Sequence, residues 1–508
     1  MSTTKVCLIR PSIFTTADSL GVEIMLPFGI AYLAAYLRQE SFDVSMIDAL
    51  GAGMNQYTPL DDLPNGLLRG LSDQETTNRI PSNVDMIGIS SMFSVNWVVT
   101  RRLLQIIRRR FPSVLLIIGG EHATAMPEYC LRDAPEIDYV VIGEGEHTTA
   151  QLLKMLEAGG EPESVPGVAF IRDNQYIAST ARARERDLSV FPWPAWDLLS
   201  VEDYLHNVTA SLDHGRTMPI MTSRGCPYDC TFCSNPGMWG HLWRARSPED
   251  VVTEIEHNVR TYRITHLDFL DLTTITKRSW MIEFCNLLIK RNLAITWQII
   301  ATRAEAIDAE VTRWLKRAGC SYITYAPESG SDRVLASIRK KMDKEAMLVS
   351  ISSAVDAGIG VKMNFVAGFP DDRLSDILAS YWMAVRAAWH GAHDASFFPF
   401  APYPGSELFR RLVDEGKIEI NDQFFFRLAL YSVGHMKSVA NHFNDKSLRW
   451  LCLAGMASFY CVSFFRRPNR IWRLIRDVAR AEGKTKLSAI LVMFIKNRRR
   501  IKSATAGG

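Results

Sequence analysis

The chain has 508 residues, 47% hydrophobic and 22% charged, enough apolar material for sizeable cores in about three domains. Its formal net charge of +3 argues against chain-wide nucleic-acid binding, and no nucleic-acid partner is expected. Three of the nine cysteines crowd into one short stretch, while Cys7, Cys130, Cys285, Cys320, Cys452 and Cys461 are scattered among apolar residues. Scattered thiols read as reduced core residues of a protein kept in a reducing cytoplasm, and Met1–Arg10 reads as a short polar lead into a strand rather than a signal peptide.

Residues 1–155 predict an α/β domain. Apolar runs at Lys5–Ile9, Val44–Ile47, Asp85–Ser90, Val114–Ile118 and Tyr139–Ile142 alternate with helical patterns such as Phe28–Leu37 and Trp97–Arg110, the pattern of a parallel, doubly wound, flavodoxin-like sheet with helices on both faces. Such sheets bind ligands beyond the carboxyl ends of their strands, where this chain places Ser90-Ser91, Gly119-Gly120-Glu121-His122 and Gly143-Glu144-Gly145-Glu146. In that order the region resembles the cobalamin-binding domain that precedes the radical S-adenosylmethionine (SAM) barrel in one large class of enzymes. The resemblance implies a cobalamin site at Ser90, Ser91, Gly119, Gly120, Glu121, His122, Gly143, Glu144 and Gly145. Many such domains carry DxHxxG after the first strand, with the His as lower ligand to cobalt. Here Pro11–Gly21 contains no His, and none occurs before His122. A histidine-on corrin held by that loop is therefore excluded, and the resemblance implies base-off cobalamin with no protein His beneath the metal. The competing reading is a plain flavodoxin-like domain that binds another ligand or none.

Residues 156–212 read as a connector. Short alternating runs at Val168–Ile171 and Tyr176–Ser179 predict a small hairpin, and Phe191-Pro192-Trp193-Pro194-Ala195-Trp196-Asp197 predicts a stiff extended strap across a domain junction.

Residues 213–415 contain Arg224-Gly225-Cys226-Pro227-Tyr228-Asp229-Cys230-Thr231-Phe232-Cys233, three cysteines at the spacing CxxxCxxC. A structural zinc normally takes four Cys or His ligands, whereas a [4Fe-4S] cluster held by three thiolates keeps one iron open. Chance spacing or a zinc knuckle is the plain alternative. The stretch resembles the signature of the radical SAM superfamily, whose cluster binds and reductively cleaves SAM. The resemblance implies Cys226, Cys230 and Cys233 as cluster ligands at the catalytic centre, with Phe232 beside the cofactor.

Strands at Pro219–Thr222, Leu267–Leu270, Ile295–Ile300, Tyr322–Ala326, Val361–Val366 and Ala395–Pro399, separated by helices such as Pro248–Tyr262 and Trp280–Lys290, predict a partial (β/α)6 barrel of the TIM type with its site at the strand carboxyl ends. There lie Asp271, Thr302-Arg303, Glu328-Ser329 in a stretch like the family's GxESGS, Gly368 in a GxP-like turn, and Pro402-Tyr403-Pro404-Gly405-Ser406. The resemblance implies SAM contacts for Asp271, Arg303, Glu328, Ser329 and Gly368. Asp268, Asp271 and Glu328 could equally be helix caps or surface carboxylates, and Phe397, Phe398 and Phe400 read as barrel core rather than a substrate box.

Residues 416–508 predict a basic helical region. Trp450–Phe465 is uncharged but short for a membrane span, so a buried helix is expected. The next helix places Ile471, Leu474, Ile475 and Val478 opposite Arg473, Arg476 and Arg480. From Arg466 to Gly508 there are thirteen Lys or Arg against Asp477 and Glu482, a local net of +11. Such helices lie on anionic membrane surfaces or, more plainly, cap a barrel. The whole is identified as a member of the cobalamin-domain radical SAM enzymes, the class B methyltransferase and anaerobic magnesium-protoporphyrin IX monomethyl ester cyclase-like family. The resemblance implies methylation of an unactivated carbon of an apolar small molecule (a lipid, isoprenoid or tetrapyrrole) with electrons from a ferredoxin- or flavodoxin-type donor. The alternatives are radical cyclisation of the ester-cyclase type and a cobalamin or redox sensor without turnover.

Overall fold

The computed structural model describes residues 4–16, 24–60, 66–207, 215–303, 306–428, 437–483 and isolated positions between 485 and 495. Part of the histidine-free loop and most of the basic tail after 483 lie outside the described residues.

Five strands, β1 (Lys5–Arg10), β2 (Asp43–Asp48), β3 (Met86–Ser90), β4 (Leu115–Gly119) and β5 (Tyr139–Val141), form a parallel sheet in the order 2-1-3-4-5. Strand alternation builds two cores from one sequence. Along β1, Val6 and Leu8 pack with Ala34 and Leu37 of helix Phe28–Gln39 and Leu152 of helix Gly145–Glu157. Cys7 and Ile9 face the opposite core, with Trp97, Leu103 and Ile107 of helix Trp97–Arg110. The winding reverses between β1 and β3, the point at which a doubly wound sheet opens a ligand crevice. The hairpin expected in the connector is a continuation of this sheet. Its strands β6 (Val168–Arg172) and β7 (Gln175–Ala178) add antiparallel to the β5 edge.

The second sheet, β8 (Thr217–Ile220), β9 (His266–Phe269), β10 (Thr296–Thr302), β11 (Cys320–Glu328), β12 (Gly360–Ala367) and β13 (Asp394–Pro399), is parallel throughout and runs in chain order. The intervening helices start where their sequences specify. At Pro248–Tyr262, Ser247 Oγ accepts from the Asp250 amide at 3.2 Å, Pro248 opens the first turn, and Glu249 and Asp250 sit at the positive end of the helix dipole. All four residues of β8 are buried, and Met218 and Ile220 share one core with Trp196, Val201, Tyr204 and Leu205 from the strap and the helix after it. At the other edge, helix Asp445–Arg466 lies on β13: Tyr460 Oη donates to Asp394 Oδ1 at 3.1 Å, and Gly455 sits against the Phe397 ring. Phe397 is barrel core as expected, whereas Phe400 is buried in the core that holds Trp97 and Leu103 of the first domain, and Phe398 is exposed beneath Lys362.

Two further expectations are corrected. Helix Asp445–Arg466 is not buried all round. Leu448, Cys452, Gly455, Phe459 and Ser463 face the barrel, while Trp450, Leu453, Cys461 and Phe465 are exposed. Cys461 is thus a surface thiol rather than a core one, because it falls on the stripe opposite the barrel contacts.

Candidate active site

The cysteine loop hangs between the short strand Ser223–Arg224 and helix Asn235–Trp239. It is pinned from both sides: the Thr231 amide donates to Ile338 O at 3.1 Å, and Thr231 O accepts from the Leu408 amide at 2.9 Å. Gly225 turns the chain into the loop at φ 84°, and a Cβ there would stand 2.1 Å from Leu242 O, so no other residue fits without moving backbone. Burial pushes all three cysteine thiols up, Cys233 to about 12, while Arg303 and Lys340 pull Cys226 and Cys230 the other way. Among the described residues no three His, Cys, Asp or Glu side chains are gathered to hold a single metal ion. Three thiols of one loop, flanked by two cations that would offset negative charge, fit a cluster held by three thiolates.

The barrel strand ends converge on this loop. Asp271, just past β9, accepts at Oδ1 from the Thr222 amide (2.9 Å), Thr222 Oγ1 (3.0 Å), the Ser223 amide and Ser223 Oγ (2.7 Å), while its buried Oδ2 has no partner. Burial pushes this carboxyl up to about 6 against the pull of those donors. Thr273 Oγ1 and Thr274 Oγ1 beside it are also buried without partners, and sequence reasoning did not single them out. Arg303 lies over the Tyr228 ring with 3.6 Å from Cζ to the centroid. Glu328 ends β11 at φ 63°, a conformation rare for a side-chain-bearing residue, and accepts from Lys340 Nζ at 2.8 Å. Ser329 Oγ accepts from the Ser331 amide at 3.1 Å. The amides of Gly368 and Phe369 donate to Asp372 Oδ2 at 2.8 and 3.1 Å, and Phe232 meets Phe369 edge to face at 5.7 Å. Asp372 and Lys340 were not anticipated. The only signal for Asp372 was a polar residue a few positions beyond a strand end, and Lys340, which follows helix Asp332–Ser337, carried none. Unpartnered Asp271 Oδ2 and the two threonine hydroxyls suit the polar end of a SAM molecule.

The carboxyl ends of β3, β4 and β5 face the cysteine loop. Gly120 (φ 117°) leaves no room for a Cβ, which would meet Ser91 O at 2.7 Å. Ser91 Oγ is buried there without a partner, a hydroxyl that fits a ligand over the strand ends; Ser90 and Gly119 end the neighbouring strands, whereas Gly143 faces the Arg184 guanidinium and Gly145 faces Val141 and Thr149. Glu121 accepts from Ser234 Oγ, next to Cys233. His122 is withdrawn: it is buried, its Nδ1 is 2.9 Å from Ser94 Oγ, and its ring packs against Trp97 and Phe425. Burial lowers its pKa to about 3, so it stays neutral. Glu144, expected at the cofactor, has both oxygens engaged by the barrel. Arg224 donates to Oε1 at 3.1 Å and Arg244 to Oε2 at 3.0 Å, and Arg224 also donates to Glu146 at 2.6 Å. The Arg224 guanidinium further lies 4.5 Å from the Phe191 ring centroid. This buried cluster joins the two domains beside the first cysteine.

Two family models match the chain: B12 binding domain over residues 22–153 and Radical SAM superfamily over residues 220–381. The chain belongs to the radical SAM enzymes that carry a B12-binding domain. This radical SAM chain is 26% identical over 484 residues to an uncharacterized methyltransferase of Pyrococcus horikoshii, covering 95% of this chain and 96% of that one. It is 28% identical to the anaerobic magnesium-protoporphyrin IX monomethyl ester cyclase of Rubrivivax gelatinosus, covering 78% of this chain and 67% of the cyclase. Among solved structures, the cobalamin-dependent S-adenosylmethionine radical enzyme OxsB, with aqua-cobalamin and S-adenosylmethionine bound, superposes with a TM-score of 0.63 at 20% identity. The match covers 83% of this chain but 56% of OxsB, so the likeness is one of fold.

Proposed function

We propose that this chain is a cobalamin-dependent radical SAM methyltransferase acting on an unactivated carbon of an apolar small molecule. In this reading residues 1–155 hold base-off cobalamin and residues 213–415 hold the cluster and SAM. Together the bound cofactors would supply hydrogen-atom abstraction and a methyl group, with electrons from an external donor of ferredoxin or flavodoxin type. The chain's own residues orient and seclude. Cys226, Cys230 and Cys233 would hold the cluster, Asp271 Oδ2 would accept from the SAM amine, and Glu328 and Ser329 would lie at its ribose or carboxylate. Arg303 and Lys340 would offset the cluster's charge, and Ser91 Oγ would donate to the corrin.

The observation that carries this reading is the direct abutment of the two domains at the cysteine loop. Ser234 bonds Glu121 and Arg224 pairs with Glu144 and Glu146, so a group over the β3–β5 ends and a group on the cysteines would share one space. Ring closure of the ester-cyclase kind is the second reading, favoured by the relative at 28% identity. Turnover with SAM labelled in its methyl group separates the two. Label recovered in a product heavier by one methylene supports methylation, and product without label, formed with loss of hydrogen, supports cyclisation.

A further inference from the structure

Three helices outside the catalytic centre carry exposed apolar stripes. On helix Leu374–His390, Leu374, Leu378, Trp382 and Trp389 fall on one side, with Trp382 64% and Trp389 54% exposed. On helix Asp445–Arg466, Trp450 (71%), Leu453 and Phe465 (83%) lie opposite the residues that pack on the barrel. Helix Asn469–Ala479 exposes Ile471, Trp472 (72%) and Ile475. The first two helices run side by side. Tyr381 Oη donates to Leu451 O, and Arg467 reaches the carbonyls of Ala388 and Trp389 at 3.3 Å. Arg470 pins the third by donating to Ala392 O and Gly391 O at 2.6 and 2.8 Å. The three stripes therefore sit on a fixed scaffold.

Over the second and third helices the exposed charge is mostly positive: Asp445 lies at the start of the second, and Asp477 of the third is buried. No carboxylate occurs between Lys446 and Arg476, while Arg449, Arg466, Arg473 and Arg476 are exposed among the aromatic residues, and the Arg466 guanidinium lies 5.1 Å from the Trp389 ring centroid. Tryptophan mixed with arginine is the composition of a membrane–water interface. A second copy of the chain is a poorer occupant. A two-fold contact would set this arginine-rich surface against itself, and the nearby acids Asp445 and Glu345 are already engaged, by the Ser438 amide and by Arg386.

We infer that the exposed face of these three helices docks on an anionic lipid surface, as a peripheral contact. Helix Asp445–Arg466 is, among the described residues, the one helix long and apolar enough to cross a bilayer. Spanning would strip Leu448, Cys452 and Phe459 from the barrel and break the Tyr460–Asp394 bond. Lying flat keeps all of these and buries the outer stripe.

The test is co-sedimentation of the full chain with phosphatidylcholine vesicles, with and without phosphatidylglycerol. Tryptophan fluorescence is read in parallel. Binding should require the anionic lipid, shift the emission to the blue, and fade as salt shortens the screening length to about 8 Å at physiological ionic strength. Trp450→Ser with Phe465→Ser should remove the binding while far-ultraviolet dichroism and iron–sulfur absorbance stay unchanged. Should that variant not fold, Arg473→Glu with Arg476→Glu serves, lowering partitioning by about tenfold or more. The inference is overturned by absence of binding, by binding indifferent to lipid charge and salt, or by retention after a carbonate wash, which marks a spanning helix. A dimer that Trp450→Ser dissolves, without vesicle binding, gives the face to a second copy and overturns it as well.

Discussion

Arg224 and Glu144 pair at 3.1 Å across the junction of the two domains, and both side chains are buried. Without Glu144, Arg224 keeps Glu146, but buried Arg244, whose carboxylate partner is Glu144, is left with an unanswered charge in a low-dielectric setting. Glu144→Ala should therefore cost about 3–5 kcal/mol of stability. The exposed pair Arg38–Asp197, cut in the same way, should cost about 0–1 kcal/mol. Urea denaturation of both variants makes the comparison.

The same carboxyl makes the junction acid-sensitive. Burial pushes Glu144 up, but hydrogen bonds from Arg244 and the charges of Arg224 and Arg244 outweigh it and hold the carboxyl below its usual 4.5. A lowered carboxyl contributes stability that is complete above its unfolded value and disappears as pH falls through the folded one. The urea midpoint of the native chain should thus drop below about pH 4.5, with a shallower drop in Glu144→Gln.

Gly225→Ala combines a left-handed backbone with a collision against Leu242 O. The backbone part alone costs about 1–2 kcal/mol. Gly416 is also left-handed, at φ 68°, but has open space where its Cβ would go, so Gly416→Ala isolates that part. Thermal melting should separate the two, and only Gly225→Ala should lower the iron bound per chain after anaerobic reconstitution.

Cys230→Ala should abolish both the iron–sulfur absorbance and SAM cleavage. Retention of either would require a different cluster ligand.

Asp271→Asn preserves shape and removes charge. A charge-assisted hydrogen bond contributes about 1.5–3 kcal/mol, so SAM should bind roughly tenfold to a hundredfold more weakly. With its pKa raised to about 6, the native carboxyl is protonated below that pH, and SAM affinity measured by titration calorimetry should climb as pH rises through it. A flat profile identical to that of the Asn variant would remove Asp271 from the SAM site.

Cobalamin bound as Co(II) should show no nitrogen superhyperfine splitting in its electron paramagnetic resonance spectrum. His122, the first histidine in the chain, is held neutral between Trp97 and Phe425. Splitting from a single nitrogen would count against the base-off state.

The sheets were legible because burial follows strand alternation and because the barrel strands run into recognisable stretches, some polar, as at Asp271 and Glu328, and others Gly- or Pro-rich, as at Gly368. Val6 and Leu8 against Cys7 and Ile9 need only a period of two. What the sequence hid was pairing decided in space. Nothing in Val168–Arg172 distinguishes a free hairpin from one that extends β5, since both show the same alternation. Glu144 reads as a ligand residue because it sits in a glycine-rich strand-end loop. The counter-signal, buried Arg224 and Arg244 with no acid nearby in sequence, appears only once the domains are brought together. Trp450–Phe465 is uncharged around its whole circumference, with Ser458 and Ser463 its only hydroxyls besides Tyr460, so nothing in the sequence told which side met the barrel.

A sheet that stops at six strands has two raw margins, and in this chain neither is covered by the barrel itself. β8 leans on Trp196 and Tyr204 from one flank, β13 on the helix after residue 445 from the other. The unmet amides and carbonyls along such margins template pairing between molecules. A fragment excised at 213–415 should accordingly precipitate as intermolecular β-structure, whereas one running from residue 187 to 483 would restore cover on both sides. The flanking segments thus act as guards against aggregation, and the minimum expressible unit is larger than the catalytic fold.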